Sequence, residues 1–129
     1  SKKVCLVEDV VHYCIYKLMP RMRSLIISVE FDRDKQNYGS CLAVDKREFE
    51  ITLNRSLKGD DLIETICHEM VHVKQYARGQ LKINADLDYR TYEEYENQWH
   101  EKEAFGMEKE LAEGYKEYVK INHFINKYS

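Results

Sequence analysis

Two histidines and a glutamate lie together in the stretch His68-Glu69-Met70-Val71-His72. On an α-helix, side chains four residues apart lie on the same face, so both imidazoles can reach one metal ion. Glu69 follows the first histidine directly, where its carboxylate can reach a water on that ion without occupying a ligand position. The pattern therefore predicts a zinc site in which His68 and His72 are ligands and Glu69 is the general base.

A catalytic zinc keeps three protein ligands and one open position, so a third ligand must come from elsewhere in the chain. The best stretch is His100-Glu101-Lys102-Glu103-Ala104. Two glutamates two positions apart on a helix point about 200° from each other, so at most one of them faces the ion. Ala104 shares the face of Glu101 and leaves room for the motif helix. We therefore expect Glu101 to be the third ligand, with Glu103 and His100 as alternatives.

The segment before the motif predicts one helix and three strands. Apolar residues at helical spacing indicate an amphipathic helix over residues 4–19, which Pro20 ends. The hydrophobic period then changes to two over residues 25–31, which is typical of a strand with one buried face. Further strands are predicted at residues 40–44 and 48–53, joined as a hairpin. We expect a small antiparallel sheet of about three strands.

The motif helix is predicted to begin at Asp60 or Asp61. An acidic side chain there can accept hydrogen bonds from N–H groups of the first turn, and Glu64 completes a capping-box pattern with Asp61. Gly79 is predicted to end the helix. Apolar residues on several sides of this helix indicate that it lies in the interior, where a rigid metal site needs to be.

Residues 80–98 are polar, acidic and rich in tyrosine. Tyr89, Tyr92, Tyr95 and Trp99 recur at roughly helical spacing, which fits either a packed aromatic stripe or the wall of a cleft near the metal.

Two helices are predicted after this segment, over residues 98–112 and 115–127, with Gly114 as the break between them. No repeat or linker is present, so residues 1–129 are expected to form a single domain. The predicted fold class is α+β, with the sheet packed against an N-terminal helix, the motif helix, the glutamate helix and a C-terminal helix.

The composition limits the function classes. The chain has 129 residues with 43% hydrophobic and 33% charged residues and a net charge of −3, which is ordinary for a globular protein. Binding to nucleic acid or to an acidic membrane needs a basic surface, so neither is expected. The four cysteines lack C-x-x-C spacing and no apolar run approaches a membrane span, which favours reduced, mostly buried thiols in a cytoplasmic protein. The oligomeric state is left open.

The two motifs resemble those of the gluzincin metallopeptidases, which pair H-E-x-x-H with a glutamate on a downstream helix, commonly in the form E-x-x-A. His68-Glu69-x-x-His72 followed by Glu101-Lys102-Glu103-Ala104 is similar to this pattern. The order of elements over roughly residues 24–112 is similar as well. The resemblance implies a zincin-like fold, one Zn²⁺ held by His68, His72 and Glu101, and hydrolysis of a peptide or protein substrate.

Two positions depart from the family pattern. Lys74 stands where an apolar residue is usual, and Phe105 stands where an acidic residue often supports a zinc-binding histidine. The orienting partner of that histidine is therefore not identified from the sequence.

By this resemblance, peptide hydrolysis would use a water activated by the metal, with Glu69 accepting its proton and delivering it to the leaving amine. The oxyanion would be stabilised by the metal and by a donor such as Tyr76, Tyr89, Tyr92 or Tyr95. One of the strands at residues 40–44 or 48–53 could pair with an extended substrate.

Other functions are consistent with the same residues. The protein could be a latent or non-proteolytic zinc-binding module, since a site does not name its substrate. SprT-like, DNA-associated proteases share the general plan but use a third histidine, and His100 keeps that alternative open. A metal-free structural role would require two imidazoles and Glu69 to find buried partners on an apolar helix, which is costly.

Overall fold

Three helices and a three-stranded sheet make up the described part of the chain. The computed structural model describes residues 2–33, 37–83 and 98–128. In chain order the elements are α1 (Lys2–Leu18), β1 (Ile26–Asp32), β2 (Gly39–Asp45), β3 (Glu48–Asn54), α2 (Gly59–Ala77) and α3 (Trp99–Tyr128). The α+β class and the three strands agree with the prediction from hydrophobic period.

The sheet has mixed directions, so the predicted all-antiparallel arrangement is wrong. The strand order is β1-β3-β2; β3 is antiparallel to β2 but parallel to β1. The inward residues of β3 explain its central position, because Phe49, Ile51 and Leu53 are at most 1% exposed. The inward residues of β2 are small, at Cys41 and Ala43, and this edge strand packs against α2.

The motif helix α2 ends as predicted but begins differently. Its N-cap is Lys58, which makes no side-chain capping hydrogen bond, so the predicted cap at Asp60 or Asp61 is wrong. Both aspartates lie in the first helical turn, where a negative charge interacts favourably with the helix dipole.

At the other end, the chain turns at Gly79, whose φ is +73°, a conformation that glycine adopts without strain. The Gly79 N–H donates to the Tyr76 carbonyl and the Gln80 N–H donates to the Gln75 carbonyl, as in a Schellman motif.

The C-terminal helix α3 is continuous over 30 residues, so the predicted break at Gly114 is wrong. Gly114 faces the Tyr13 ring of α1, and a Cβ at this position would meet the Tyr13 hydroxyl. The glycine therefore serves close helix packing and does not end the helix. Beyond Tyr118, α3 has large exposed apolar side chains, including Ile121 and Phe124.

One hydrophobic cluster joins residues of α1, β3, α2 and α3. The thiols of Cys14 and Cys67 lie inside it with their sulfur atoms 3.8 Å apart, whereas Cys41 is partly buried and Cys5 is exposed. The prediction of buried thiols therefore holds fully for two of the four cysteines. Among the described residues, none of the helices combines the length and the hydropathy needed to cross a membrane.

Candidate metal centre

Helix α2 carries the H-E-x-x-H residues on its buried side. His68, Glu69 and His72 are each only 5–6% exposed, and Glu101 at the start of α3 is 5% exposed. Polar groups buried to this extent need hydrogen-bonding or ionic partners, because leaving them unpaired costs free energy.

The imidazoles of His68 and His72 converge on the carboxylate of Glu101. Glu101 Oε1 lies 2.9 Å from His68 Nε2 and 3.1 Å from His72 Nε2. One ligand atom from each of the three residues lies within 4.8 Å of the others, and this is the only such group of metal-ligating side chains found among the described residues. The structure thus brings together the three residues that the sequence nominated as ligands.

The spacing of these atoms fits a zinc ion. Zinc–nitrogen and zinc–oxygen bonds of 2.0–2.2 Å in a tetrahedron place neighbouring ligand atoms about 3.3–3.5 Å apart. The two observed separations, 2.9 and 3.1 Å, are only slightly shorter. Two imidazoles and one carboxylate are also a donor set that catalytic zinc uses. The residues present therefore fit the ion that the motif implies.

Gln75 orients the ring of His72. The Gln75 side chain donates from Nε2 to the His100 carbonyl at 2.9 Å and to Glu103 Oε1 at 3.0 Å. Its Oε1 is therefore the acceptor for His72 Nδ1 at 2.8 Å, so the Nδ1 atom carries a proton. A neutral His72 in this tautomer presents the lone pair of Nε2 toward Glu101, which is the arrangement a metal ligand requires.

His68 has a different partner on α3. Its Nδ1 lies 3.7 Å from Glu108 Oε1, and the Phe105 ring packs edge-on against the imidazole with 4.6 Å between centroids. Phe105 thus provides an apolar contact at the position where the family pattern often has an acid. The carboxylate near His68 comes from Glu108, seven residues after Glu101 and on the same face of the helix.

Glu103, the first alternative ligand, is engaged elsewhere. Its Oε1 accepts hydrogen bonds from Lys74 Nζ at 2.7 Å and from Gln75 Nε2. Lys74, which departs from the family preference, is thus the cation that pairs with Glu103. Burial raises the pKa of the Glu103 carboxyl, but the bonds from Lys74 and Gln75 outweigh burial and lower it.

His100, the second alternative, lies next to the three-residue group. It is 2% exposed, and its Nε2 is 3.7 Å from Glu101 Oε2. Its Nδ1 is buried and has no hydrogen-bond partner within the described ranges. Burial lowers the pKa of His100, which is consistent with a neutral imidazole.

The shared carboxylate changes the proton affinity of both imidazoles in the metal-free site. Burial lowers the pKa of His68, but Glu101, Glu108 and the charge of Glu69 more than compensate and raise it to about 10. The pKa of His72 is also raised, chiefly because Glu101 outweighs burial. Burial raises the pKa of Glu101, yet its bonds to the two imidazoles bring it well below the usual range. In the metal-free centre His68 is therefore protonated beside the Glu101 carboxylate, and a metal ion has to displace that proton.

The Glu69 carboxylate lies against the first residue of β2. Its Oε2 would be 3.2 Å from a Cβ built on Gly39. The nearby thiol of Cys41 has a raised pKa because of its burial and the negative charge of Glu69. Glu69 therefore lies against the start of β2 and is close enough to His68 and His72 for its charge to raise the pKa of both.

The sheet topology distinguishes between the two strands predicted to pair with substrate. β3 is paired on both sides, so it cannot add another strand. Within residues 2–33, 37–83 and 98–128, β2 pairs with β3 alone, and it packs against α2.

Tyr76 is the one proposed oxyanion donor that the structure describes. The other three, Tyr89, Tyr92 and Tyr95, lie outside the described residues, and they make up most of the predicted aromatic stripe. Burial raises the pKa of Tyr76, with contributions from the charges of Glu101 and Glu69. Its phenol is therefore neutral and able to donate at physiological pH. Trp99, the last residue of the stripe, is 49% exposed.

Two residues of the site, Gln75 and Glu108, were missed by the sequence reasoning. Gln75 follows His72 by three positions and Glu108 follows Glu101 by seven, so each shares a helix face with a ligand. This spacing could have suggested both residues, but many solvent-exposed polar residues of a helix have the same spacing from a ligand.

Comparison with protein families, with curated proteins and with solved structures gave no match to this chain.

Proposed function

We propose that this protein is a zinc-dependent metallopeptidase of gluzincin type with a zincin-like fold. The observation that carries the proposal is the convergence of His68 Nε2, His72 Nε2 and Glu101 Oε1, with Glu69 against Gly39 at the start of β2. Only tertiary packing brings Glu101 to the histidines, which are 33 and 29 residues away in the chain. A site for hydrolysis needs this combination of three ligands and a separate base.

His68, His72 and Glu101 would hold the zinc, while Gln75 and Glu108 orient the two imidazoles. When bound, zinc polarises the scissile carbonyl and lowers the pKa of a water molecule toward neutrality. Glu69 accepts the proton of the attacking water and transfers it to the leaving nitrogen. The neutral phenol of Tyr76 is the donor we propose for the developing oxyanion.

An extended peptide substrate would pair with β2 through main-chain hydrogen bonds, because Glu69 lies against the first residue of this strand and its outer edge carries no strand among the described residues. We propose the cytoplasm as the compartment, because the neighbouring thiols of Cys14 and Cys67 are free.

A second candidate is a zinc site without proteolysis, and the low exposure of the four central residues, 5–6%, favours it. A structural zinc is closed to solvent, whereas a catalytic zinc must admit water and substrate.

The test compares zinc content and peptide cleavage in the purified wild type and in three variants. We expect one zinc per chain and cleavage of a peptide library by the wild type. Glu69→Gln should retain zinc and lose at least about a hundredfold in kcat/KM, because the general base is removed. Glu101→Ala should lose zinc, whereas Glu103→Ala, the matched control on the same helix, should retain it.

Two outcomes would decide against the peptidase. A stoichiometric zinc with no cleavage in the wild type or in Glu69→Gln would favour the non-proteolytic zinc site. No bound metal, together with a thermal stability that chelators leave unchanged, would favour the purely structural role.

A further inference from the structure

Gly39 is the first residue of β2 and lies where this edge strand meets α2. A Cβ built at this position would be 2.9 Å from Thr65 Cγ2, 3.2 Å from Glu69 Oε2 and 3.3 Å from Leu53 Cδ2. Ordinary van der Waals contacts of a Cβ are 3.4–4 Å. Thr65 and Glu69 are four residues apart, so they form one surface of α2 against which the strand lies.

Space, and not backbone conformation, is what this position requires. The glycines with positive φ among the described residues are Gly59 and Gly79. Gly39 has a strand conformation and pairs with Leu53 of β3, so its backbone would tolerate a side chain. The requirement for glycine therefore comes from the neighbours of the missing Cβ.

Two of those neighbours cannot move easily. The Thr65 hydroxyl donates to the Asp61 carbonyl at 2.7 Å, which fixes the rotamer and keeps the methyl group directed at Gly39. Leu53 is fully buried in the core. An added methyl group at residue 39 would therefore displace the strand from α2 or push the longer side chain of Glu69 aside.

We propose that Gly39 is a positioning residue that sets the distance between the Glu69 carboxylate and the backbone of β2. This inference rests on the proposed function, because it takes Glu69 as the general base and β2 as the strand that binds substrate. Gly39 lets the strand approach the helix closely enough for the base to lie beside the peptide that the strand would hold. None of the three atoms nearest to the missing Cβ belongs to a proposed metal ligand, so we expect the effect of Gly39 to be confined to the base and the strand.

The test is a cycle of the wild type, Gly39→Ala, Thr65→Ser and the double variant. Thr65→Ser removes the methyl group at 2.9 Å and retains the hydroxyl that bonds to Asp61. We expect Gly39→Ala to lower kcat by about tenfold to a hundredfold with a smaller change in KM, because a small misplacement of a reacting group has that effect. Thr65→Ser alone should have little effect, and the double variant should recover most of the lost activity.

The control is Gly106→Ala on α3. A Cβ there would meet no atom within 4 Å, so this substitution should leave kcat, KM and zinc content unchanged. Zinc content should also be unchanged in Gly39→Ala.

A second readout does not depend on peptidase activity. In the cobalt-substituted protein, the visible absorption bands report on the surroundings of the metal, including the neighbouring carboxylate. We expect Gly39→Ala and Glu69→Gln to shift these bands, and Thr65→Ser combined with Gly39→Ala to restore them. If the wild type cleaves no peptide but the bands behave in this way, the proposed function fails and the positioning role of Gly39 stands.

Three results would overturn the proposal. The first is wild-type activity and wild-type cobalt bands in Gly39→Ala. The second is loss of zinc in Gly39→Ala, which would mean that the disturbance reaches the ligands. The third is a double variant that is as impaired as Gly39→Ala. If Gly39→Ala itself does not fold, a folded and active double variant would support the proposal, and an unfolded or inactive one would overturn it.

Discussion

At the scale of single residues, the candidate centre depends on side chains that form hydrogen bonds with the proposed ligands. His72 donates from Nδ1 to Gln75, and Gln75 in turn bonds to the His100 carbonyl and to Glu103. This chain of bonds crosses from α2 to α3 and holds His72, one of the proposed ligands, in a single orientation. A fully buried amide with three bonds of this kind is a rigid support.

Gln75→Leu should weaken zinc binding by about tenfold to a hundredfold, because His72 loses the acceptor that fixes its tautomer. The measurement is a competition titration with a chelator of known affinity. Gln80→Leu is the matched control, since Gln80 is exposed just beyond the same helix. A zinc affinity equal to that of the wild type in Gln75→Leu would show that Gln75 has no orienting role.

The metal-free protein should lose stability as the pH rises. The pKa of His68 is raised to about 10 in the folded state, above its ordinary value of 6.5. The folded state therefore holds this proton more tightly than the unfolded state. The resulting stabilisation is fully present below about pH 6.5 and is lost as the pH rises through about 10.

Urea denaturation of the metal-free protein between pH 6 and pH 10 tests this linkage. His68→Gln should reduce the pH dependence, whereas replacement of the exposed His123 should leave it in place. A stability that increases over this range in the wild type would contradict the prediction.

At the scale of secondary-structure elements, the helices follow the hydrophobic pattern but their ends and contacts do not. Asp61 and Glu64 form a capping-box pattern in the sequence, yet α2 begins earlier, at Gly59, with no side-chain cap. Gly79 does end α2, because glycine adopts a positive φ without strain whatever its neighbours in the fold are. Gly114 lies within α3, because its role is set by Tyr13 on a different helix.

Gly114→Ala and Gly106→Ala should therefore change stability in opposite directions. Alanine favours a helix over glycine by about 1 kcal/mol, so Gly106→Ala should stabilise the protein by up to that amount. At Gly114 the new Cβ meets the Tyr13 hydroxyl, and overpacking of this kind costs about 1–3 kcal/mol. The net effect should be destabilising.

Tyr13→Phe removes the hydroxyl and should restore the stability of Gly114→Ala. Thermal denaturation of the wild type, the three single variants and the Tyr13→Phe/Gly114→Ala double variant measures both effects. If Gly114→Ala is as stable as Gly106→Ala, the packing explanation for the continuous α3 is wrong.

At the scale of the whole molecule, the candidate centre joins the two longest helices. His68 and His72 belong to α2 and Glu101 belongs to α3, and the chain between these helices includes residues that the structure does not describe. A metal bound at this point would link α2 to α3 and would stabilise the folded state by mass action.

Removal of zinc should lower the melting temperature. At a free zinc concentration about a hundred times Kd, binding contributes about 2.7 kcal/mol, which corresponds to a decrease of roughly 10 °C for a chain of this size. Differential scanning calorimetry with and without a chelator measures the shift. The Glu101→Ala variant should show little shift, and an equal shift in both proteins would mean that the chelator acts elsewhere.

The sequence alone determined the features that depend on local pattern. These are the helical period around His68 and His72, the alternation that marks the strands, and the end of α2 at Gly79. The helical period also showed that Glu101 and Glu103 cannot face the same side, and the small Ala104 on the face of Glu101 favoured Glu101.

The tertiary structure decided which surfaces meet. The parallel pairing of β1 with β3, the contact of Gly39 with Glu69, and the engagement of Glu103 by Lys74 all join segments that are distant in the chain. The hydrogen bond of Gln75 to His72 and the proximity of Glu108 to His68 depend on the packing of side chains in the same way. Local periodicity shows which side of an element is buried, but only the packing of elements determines which neighbour covers that side.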